Sequence, residues 1–172
     1  MSQLLDFYRG DATDSEGRRL RDLWTWDDDA LEAVHDFIQW LFPLPEPSQF
    51  NPNAPLLTPA DIAGFRADEA LRANLRRSFD RILTFLGLAW DSEGHIDKGP
   101  NFMVRVHDVW MYPNHNWLRI TRILRSLSLL GMEDDALQLY DCLSLFYELR
   151  EFPILESTFR YWTVAVRSGA NE

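Results

Sequence analysis

The sequence predicts an all-α protein: a single multi-helix domain of about six to seven helices, with a proline-rich ordered loop. Three observations carry this prediction. Apolar residues recur at i, i+3, i+4 and i+7 through most of the 172 residues. Capping residues and prolines stand where these stretches begin and end. No βαβ alternation and no internal repeat interrupts the pattern.

The elements follow in order. Residues 2–8 read as a short amphipathic helix. Residues 14–24 read as another, opened by Asp14 or Ser15 with Glu16 in its first turn. A third helix is capped by Asp29 with Glu32 three residues on. Asp27 and Asp28 lie at the same end, where the helix dipole favours negative charge. Pro43 ends it, because its ring disfavours helical geometry at Phe42. Residues 43–57 hold five prolines, Pro43, Pro45, Pro47, Pro52 and Pro55, interleaved with apolar residues. That pattern suits an ordered extended segment lying on the body.

Thr58-Pro59-Ala60-Asp61 is a helix start, with Thr at the N-cap, Pro at N1 and Asp at N3. A helix over 68–86 carries the stripe Leu71, Leu75, Phe79, Ile82 and Leu86, and Gly87 suits its end. Residues 88–100 contain DSEGHIDKG, a hairpin-like or loop segment. Residues 101–111 read equally as helix or short strand. A fifth major helix runs over about 116–130, with Asn114 or Asn116 near its cap and Gly131 after it. The next, over about 133–149, is apolar nearly all round and predicts a helix buried at the centre of the body. A last helix covers about 154–167.

Composition narrows the function. The hydrophobic share of 46% and aromatic share of 13% belong to a globular chain. A net charge of −10 opposes nucleic acid and anionic lipid, so no nucleic-acid partner is expected. The one cysteine, Cys142, cannot form an intrachain disulfide, and its apolar surroundings predict a buried, inert thiol. MSQLLDFYRG has no basic n-region and no adequate apolar stretch, so no signal peptide is expected. No run reaches the ~18 apolar residues of a membrane span, and a cytoplasmic location is the default.

Two stretches present side chains that folding does not account for. Around the third helix Leu31, Val34, Ile38 and Leu41 share one face, with His35 at its edge. Trp40 falls roughly 180° away, beside Asp36. There it is covered by the proline-rich segment or serves as a contact surface. On the fifth helix Trp117, Ile120, Ile123, Leu124, Leu127 and Leu130 form the core stripe. Leu118, Arg122, Arg125 and Leu129 form a second face. Its arginines can reach carboxylates at Asp27, Asp28, Asp29, Asp134 or Asp135. Alternatively they make an anion-binding face with His115 and Asn116 at the helix N-terminus.

The run HDFIQWLFPL with a following NAPLLT resembles the opioid growth factor receptor homology region. So does WMYPNHNWLRITRILRSL ending in LGME, and Phe7-Tyr8-Arg9 is similar to that region's early element. The likeness covers about residues 5–168. It implies an all-helical fold, and animal members described as intracellular, nuclear-associated receptors for an enkephalin peptide. The matching positions are His35, Ile38, Gln39, Trp40, Leu41, Phe42, Pro43 and Leu44 in the first motif. In the second they are His115, Asn116, Leu118, Arg119, Ile120, Thr121, Arg122, Ile123 and Leu124.

The expected function is therefore a non-enzymatic module that binds a peptide, small molecule or protein, with self-association as a further option. The expected site is a cleft where the third and fifth helices approach, with His35, Trp40, His115, Asn116, Arg119 and Arg122 around it. No cofactor is called for. The alternative is a metal-assisted hydrolase built on His35-Asp36, His107-Asp108 and His115. No HExxH, CxxC pair, P-loop or GxSxG is present.

Overall fold

A computed structural model describes residues 2–171. Among these the chain forms ten α-helices, one two-stranded hairpin and a 3₁₀ turn. The all-α expectation holds, and the helix count corrects six to seven to ten: the third expected helix is split in two, and the 59–67 and 102–109 segments are helices of their own. The chain divides into two compact units, Met1–Arg81 and Ile82–Glu172. No described helix is long and apolar enough to cross a membrane.

The first unit begins with α1 (Gln3–Arg9), capped by Ser2 and closed by Gly10 at φ 86°. The helix expected over 14–24 starts late, as α2 (Leu20–Trp24). The buried Asp14 carboxylate accepts from Glu16 N at 2.9 Å, Arg18 N at 2.8 Å and Arg18 Nε at 2.6 Å. These bonds give the backbone a turn in place of a helix. The third expected helix is interrupted. Asp27, not Asp29, is its cap, accepting from Ala30 N at 2.8 Å.

That helix, α3 (Asp28–Ala33), stops where Val34 becomes extended at φ −96° and ψ 134°. The chain resumes as the single turn α4 (Ile38–Leu41). An unbroken helix would strand Trp40 opposite the core stripe. The break buries Phe37, Ile38, Trp40, Leu41 and Phe42 together, at roughly 1.5–3 kcal/mol for each large side chain.

The proline-rich segment is tied down. Leu57 N donates to Leu44 O at 3.1 Å, and Asn51 Nδ2 to Asp36 O at 3.1 Å. It leads into α5 (Pro59–Ala67), whose capping box pairs Thr58 Oγ1 with Asp61 N at 3.2 Å and Asp61 Oδ2 with Thr58 N at 2.9 Å. The core of this unit is aromatic. Phe7 meets Trp40 at 5.2 Å between ring centroids, Tyr8 meets Phe65 at 4.9 Å, and Trp26 meets Phe37 at 5.6 Å. The unit boundary falls within α6 (Glu69–Leu86), whose predicted stripe is buried throughout.

The second unit continues from Gly87 into β1 (Leu88–Trp90) and β2 (Ile96–Lys98), antiparallel with Leu88 opposite Lys98. Asp91 turns the hairpin by accepting from Glu93 N at 2.8 Å and His95 N at 2.9 Å. The ambiguous 101–111 segment is helix, α7 (Phe102–Val109). Then come α8 (His115–Leu129), α9 (Glu133–Glu148), α10 (Glu156–Val166) and the 3₁₀ turn Ser168–Asn171. Helix α8 packs on α9 and α10, which also pack on each other. Beside them Trp110 and Phe102 cluster with Phe146 and Phe152, centroids 5.2 to 6.1 Å apart.

Helix α9 corrects the expectation of burial all round. Leu139, Cys142, Leu143 and Phe146 are buried, while Leu137, Leu145 and Leu149 are exposed. Within this unit its neighbours α8, α10 and β2 cover one side of it.

Candidate functional site

The WMYPNHNW segment folds around one side chain the sequence reading valued only as a cap. Asn114 Oδ1 accepts from Asn116 N at 2.9 Å and starts α8. Its Nδ2 reaches Val109 O at 3.0 Å and Tyr112 O at 2.7 Å, closing the 109–114 turn. Trp117 Nε1 donates to Val109 O at 2.8 Å, and Trp162 Nε1 to Trp117 O at 3.1 Å. Indole N–H groups thus anchor the turn to α8 and α8 to α10.

Of the expected α8 residues the structure brings two together. Asn116, fully buried, accepts from Arg119 Nη1 at 3.2 Å through Oδ1. Arg119 is itself buried, its guanidinium 5.8 Å from the Phe85 ring centroid. His115 and Arg122 are half-buried. The expected second face is divided: Leu118 is exposed and Leu129 buried.

In the first unit His35 is exposed, beside the break between α3 and α4. Trp40 is buried and packs on Phe7, so it offers no ring face to solvent. Its Nε1 has no acceptor among the described residues. Asp28, expected as a partner of the α8 arginines, receives Arg81 Nη2 at 2.7 Å. Arg81 also donates to Trp26 O, through Nε at 3.1 Å and Nη2 at 2.8 Å.

Sequence reasoning left α7 unassigned. Arg105 is buried, donates from Nε to Phe85 O at 2.8 Å and pairs with Asp108 at 3.1 Å. With Phe102 and Val109 it turns one face of the helix inward. The opposite face holds Met103 at 80% exposure and Val104 at 76%. His107, one turn on, meets the exposed Tyr112 at 6.1 Å between rings. Once the segment is helical with 102, 105 and 109 inward, the 3.6-residue period points Met103 and Val104 outward.

The hydrolase alternative called for a metal site. No group of three His, Cys, Asp or Glu side chains among the described residues could hold a metal ion. Asp108, 3.4 Å from His107 Nδ1, is engaged by Arg105. Cys142 is buried as expected, and burial, followed by the nearby Asp97 charge, pushes its thiol up to about 12.

A family model, the opioid growth factor receptor (OGFr) conserved region, matches residues 4–171. The chain belongs to this family. The opioid growth factor receptor of mouse is 40% identical over 115 residues, covering 64% of this chain and 18% of the relative. That of rat is 38% identical over 135 residues, 75% of this chain and 23% of the relative. That of human is 35% identical over 151 residues, 84% of this chain and 22% of the relative. The chain therefore spans about a fifth of the length of these relatives. No solved structure matches it. In this OGFr-family chain the IQWLFPL string is α4 and its exit, and LRITRIL is the middle of α8, with Arg119, Ile120, Ile123 and Leu124 buried.

Proposed function

We propose that this OGFr-family chain is a non-enzymatic binding module, and that its ligand is a peptide or protein segment held on the outer face of α7 and the 110–114 turn. The observation that carries the reading is the exposure of Met103 and Val104 side by side, flanked by His107 and Tyr112. Adjacent large apolar side chains in water mark interaction surfaces when they form a patch. Methionine adapts its shape to varied partners, and tyrosine joins an apolar ring to a polar tip. The relatives carry the name receptor, which supports binding over catalysis.

In this reading His115, half-buried at the start of α8 directly after the turn, supplies a polar contact to the surface, and half-buried Arg122 is a further polar contact on α8. Asn116 and Arg119, both buried and bonded to each other within α8, lie beneath it as part of the core. His35, exposed in the other unit, is a separate contact, and buried Trp40 belongs to that unit's core. The chain folds as one domain and works in the cytoplasm, a reducing setting that suits its lone thiol.

The test is selection without a presumed ligand. The immobilised chain is panned against a random peptide display library, and each enriched peptide is re-tested on the Met103→Lys/Val104→Lys variant. Enriched peptides that lose the variant support the reading. Absence of enrichment above the bare support, or equal binding to the variant, contradicts it. Concentration-dependent self-association abolished by the same substitutions would assign the surface to a second copy of the chain instead.

A further inference from the structure

The first unit contains a pocket of about 290 Å³ between the end of α1 and the start of α2. It is lined by Tyr8, Arg9, Gly10, Arg19, Leu20, Arg21, Trp24 and Asn74. Three of these eight residues are arginines and none is acidic, in a chain whose net charge is −10. A cationic lining against an acidic background is a local arrangement that composition does not produce by itself.

The walls are fixed and the cations differ in how they are held. Asn74 Nδ2 donates to Tyr8 O at 2.8 Å, and the Tyr8 hydroxyl donates to Leu41 O. Arg19 Nη1 crosses to Gly10 O at 2.8 Å, while its backbone N–H is taken by Asp22 at 2.8 Å. Among the described residues Arg9 makes long contacts, 3.9 Å to Asp6 and 3.8 Å to Asp68. Arg21 is exposed and has no ion-pair partner among the described residues. Trp24 anchors its indole on Ser78 Oγ at 2.9 Å, and the Arg77 guanidinium lies 4.2 Å from its ring centroid. Guanidinium forks suit carboxylate and phosphate oxygens, and Trp24 with Leu20 gives an apolar wall beside them.

We propose that this pocket is an anion site for a small organic acid, its carboxylate or phosphate bound by Arg9 and Arg21 and its apolar part resting on Trp24 and Leu20. The volume, just below the roughly 300–1,000 Å³ of ligand sites, limits the occupant to a small metabolite-sized molecule. The site gives the Phe7-Tyr8-Arg9 element a function. Phe7 builds the core, Tyr8 fixes the wall, and Arg9 faces the ligand. It is built wholly from first-unit residues and does not rest on the reading of α7.

The experiment is calorimetric titration of the full chain with phenyl phosphate, benzoate and uncharged benzamide at constant ionic strength. The same titrations are run on Arg9→Gln, Arg21→Gln and, as a control, Arg160→Gln. The proposal expects saturable one-to-one binding of at least one anion and none of benzamide. Each pocket variant should weaken that binding by about tenfold or more, and the control should leave it unchanged. Tighter phenyl phosphate identifies a phosphate site; tighter benzoate identifies a carboxylate site. Absence of saturation by both anions, equal binding of benzamide, or equal affinity in the pocket variants overturns the proposal. Arg21 is exposed, so its variant keeps the fold, and circular dichroism checks this.

Discussion

Trp40 and Trp110 are both fully buried indoles with different polar accounts. Trp110 Nε1 donates to Leu86 O at 2.8 Å, whereas Trp40 Nε1 has no acceptor among the described residues. Replacing Trp40 by Phe removes volume but no hydrogen bond. It should cost ~1–2 kcal/mol, while Trp110→Phe should cost ~1 kcal/mol more by orphaning a carbonyl. Urea denaturation of the two variants checks the order. Two buried acids set the alkaline limit. Burial raises Tyr8 strongly, and pushes the Cys142 thiol from its ordinary 9.0 up to about 12. The unfolded chain releases the thiol proton near pH 9 and the folded chain keeps it. Stability is therefore whole below about pH 9 and declines as pH rises above it. Urea midpoints measured across that range should fall, and Cys142→Ala should make the fall shallower.

Individual elements show what was legible in the sequence. The Thr58-Pro59-Ala60-Asp61 start and the α6 stripe were readable because each is a local pattern, satisfied within one helix. The breaks at Asp14 and Val34 were not. Asp14 is set by contacts to Arg18, and the α3–α4 interruption by the burial of Trp40 against Phe7, a residue distant in sequence. Asp14→Ala should cost about 1–2 kcal/mol in urea denaturation, because it removes the acceptor of Glu16 N and Arg18 N while the Arg18 guanidinium keeps Asp36 at 2.8 Å.

The hairpin and its approach give a second test. Gly87 has φ +80°, and an added Cβ would lie 3.1 Å from Phe102 Cα. Gly94 has φ +86° with nothing near. Alanine at Gly94 should cost ~1 kcal/mol from backbone strain, and at Gly87 clearly more from strain and crowding together. Thermal unfolding of the two variants separates these contributions.

At the scale of the molecule, helical periodicity carried the fold class and the motif strings carried the family, but neither located a site. The candidate residues came from motif strings, and those strings are largely the folding machinery: Trp40, Asn116 and Arg119 are buried. The exposed side chains Met103 and Val104 lie in the segment whose secondary structure was ambiguous, so their direction could not be assigned. The Arg9, Arg19 and Arg21 pocket needed the turn between α1 and α2, which no periodicity describes. The proposed single domain predicts one cooperative unfolding transition, with far-ultraviolet and tryptophan signals coincident. Two separated transitions would show that the two units fold independently.

The central claim, that α7 and the 110–114 turn form the binding face of this OGFr-family chain, is tested most directly by amide chemical-shift mapping. A peptide from the panning is titrated into isotope-labelled chain. The predicted result is saturable perturbation concentrated at Met103, Val104, His107 and Tyr112. Saturable binding whose perturbations spare those residues would contradict the claim.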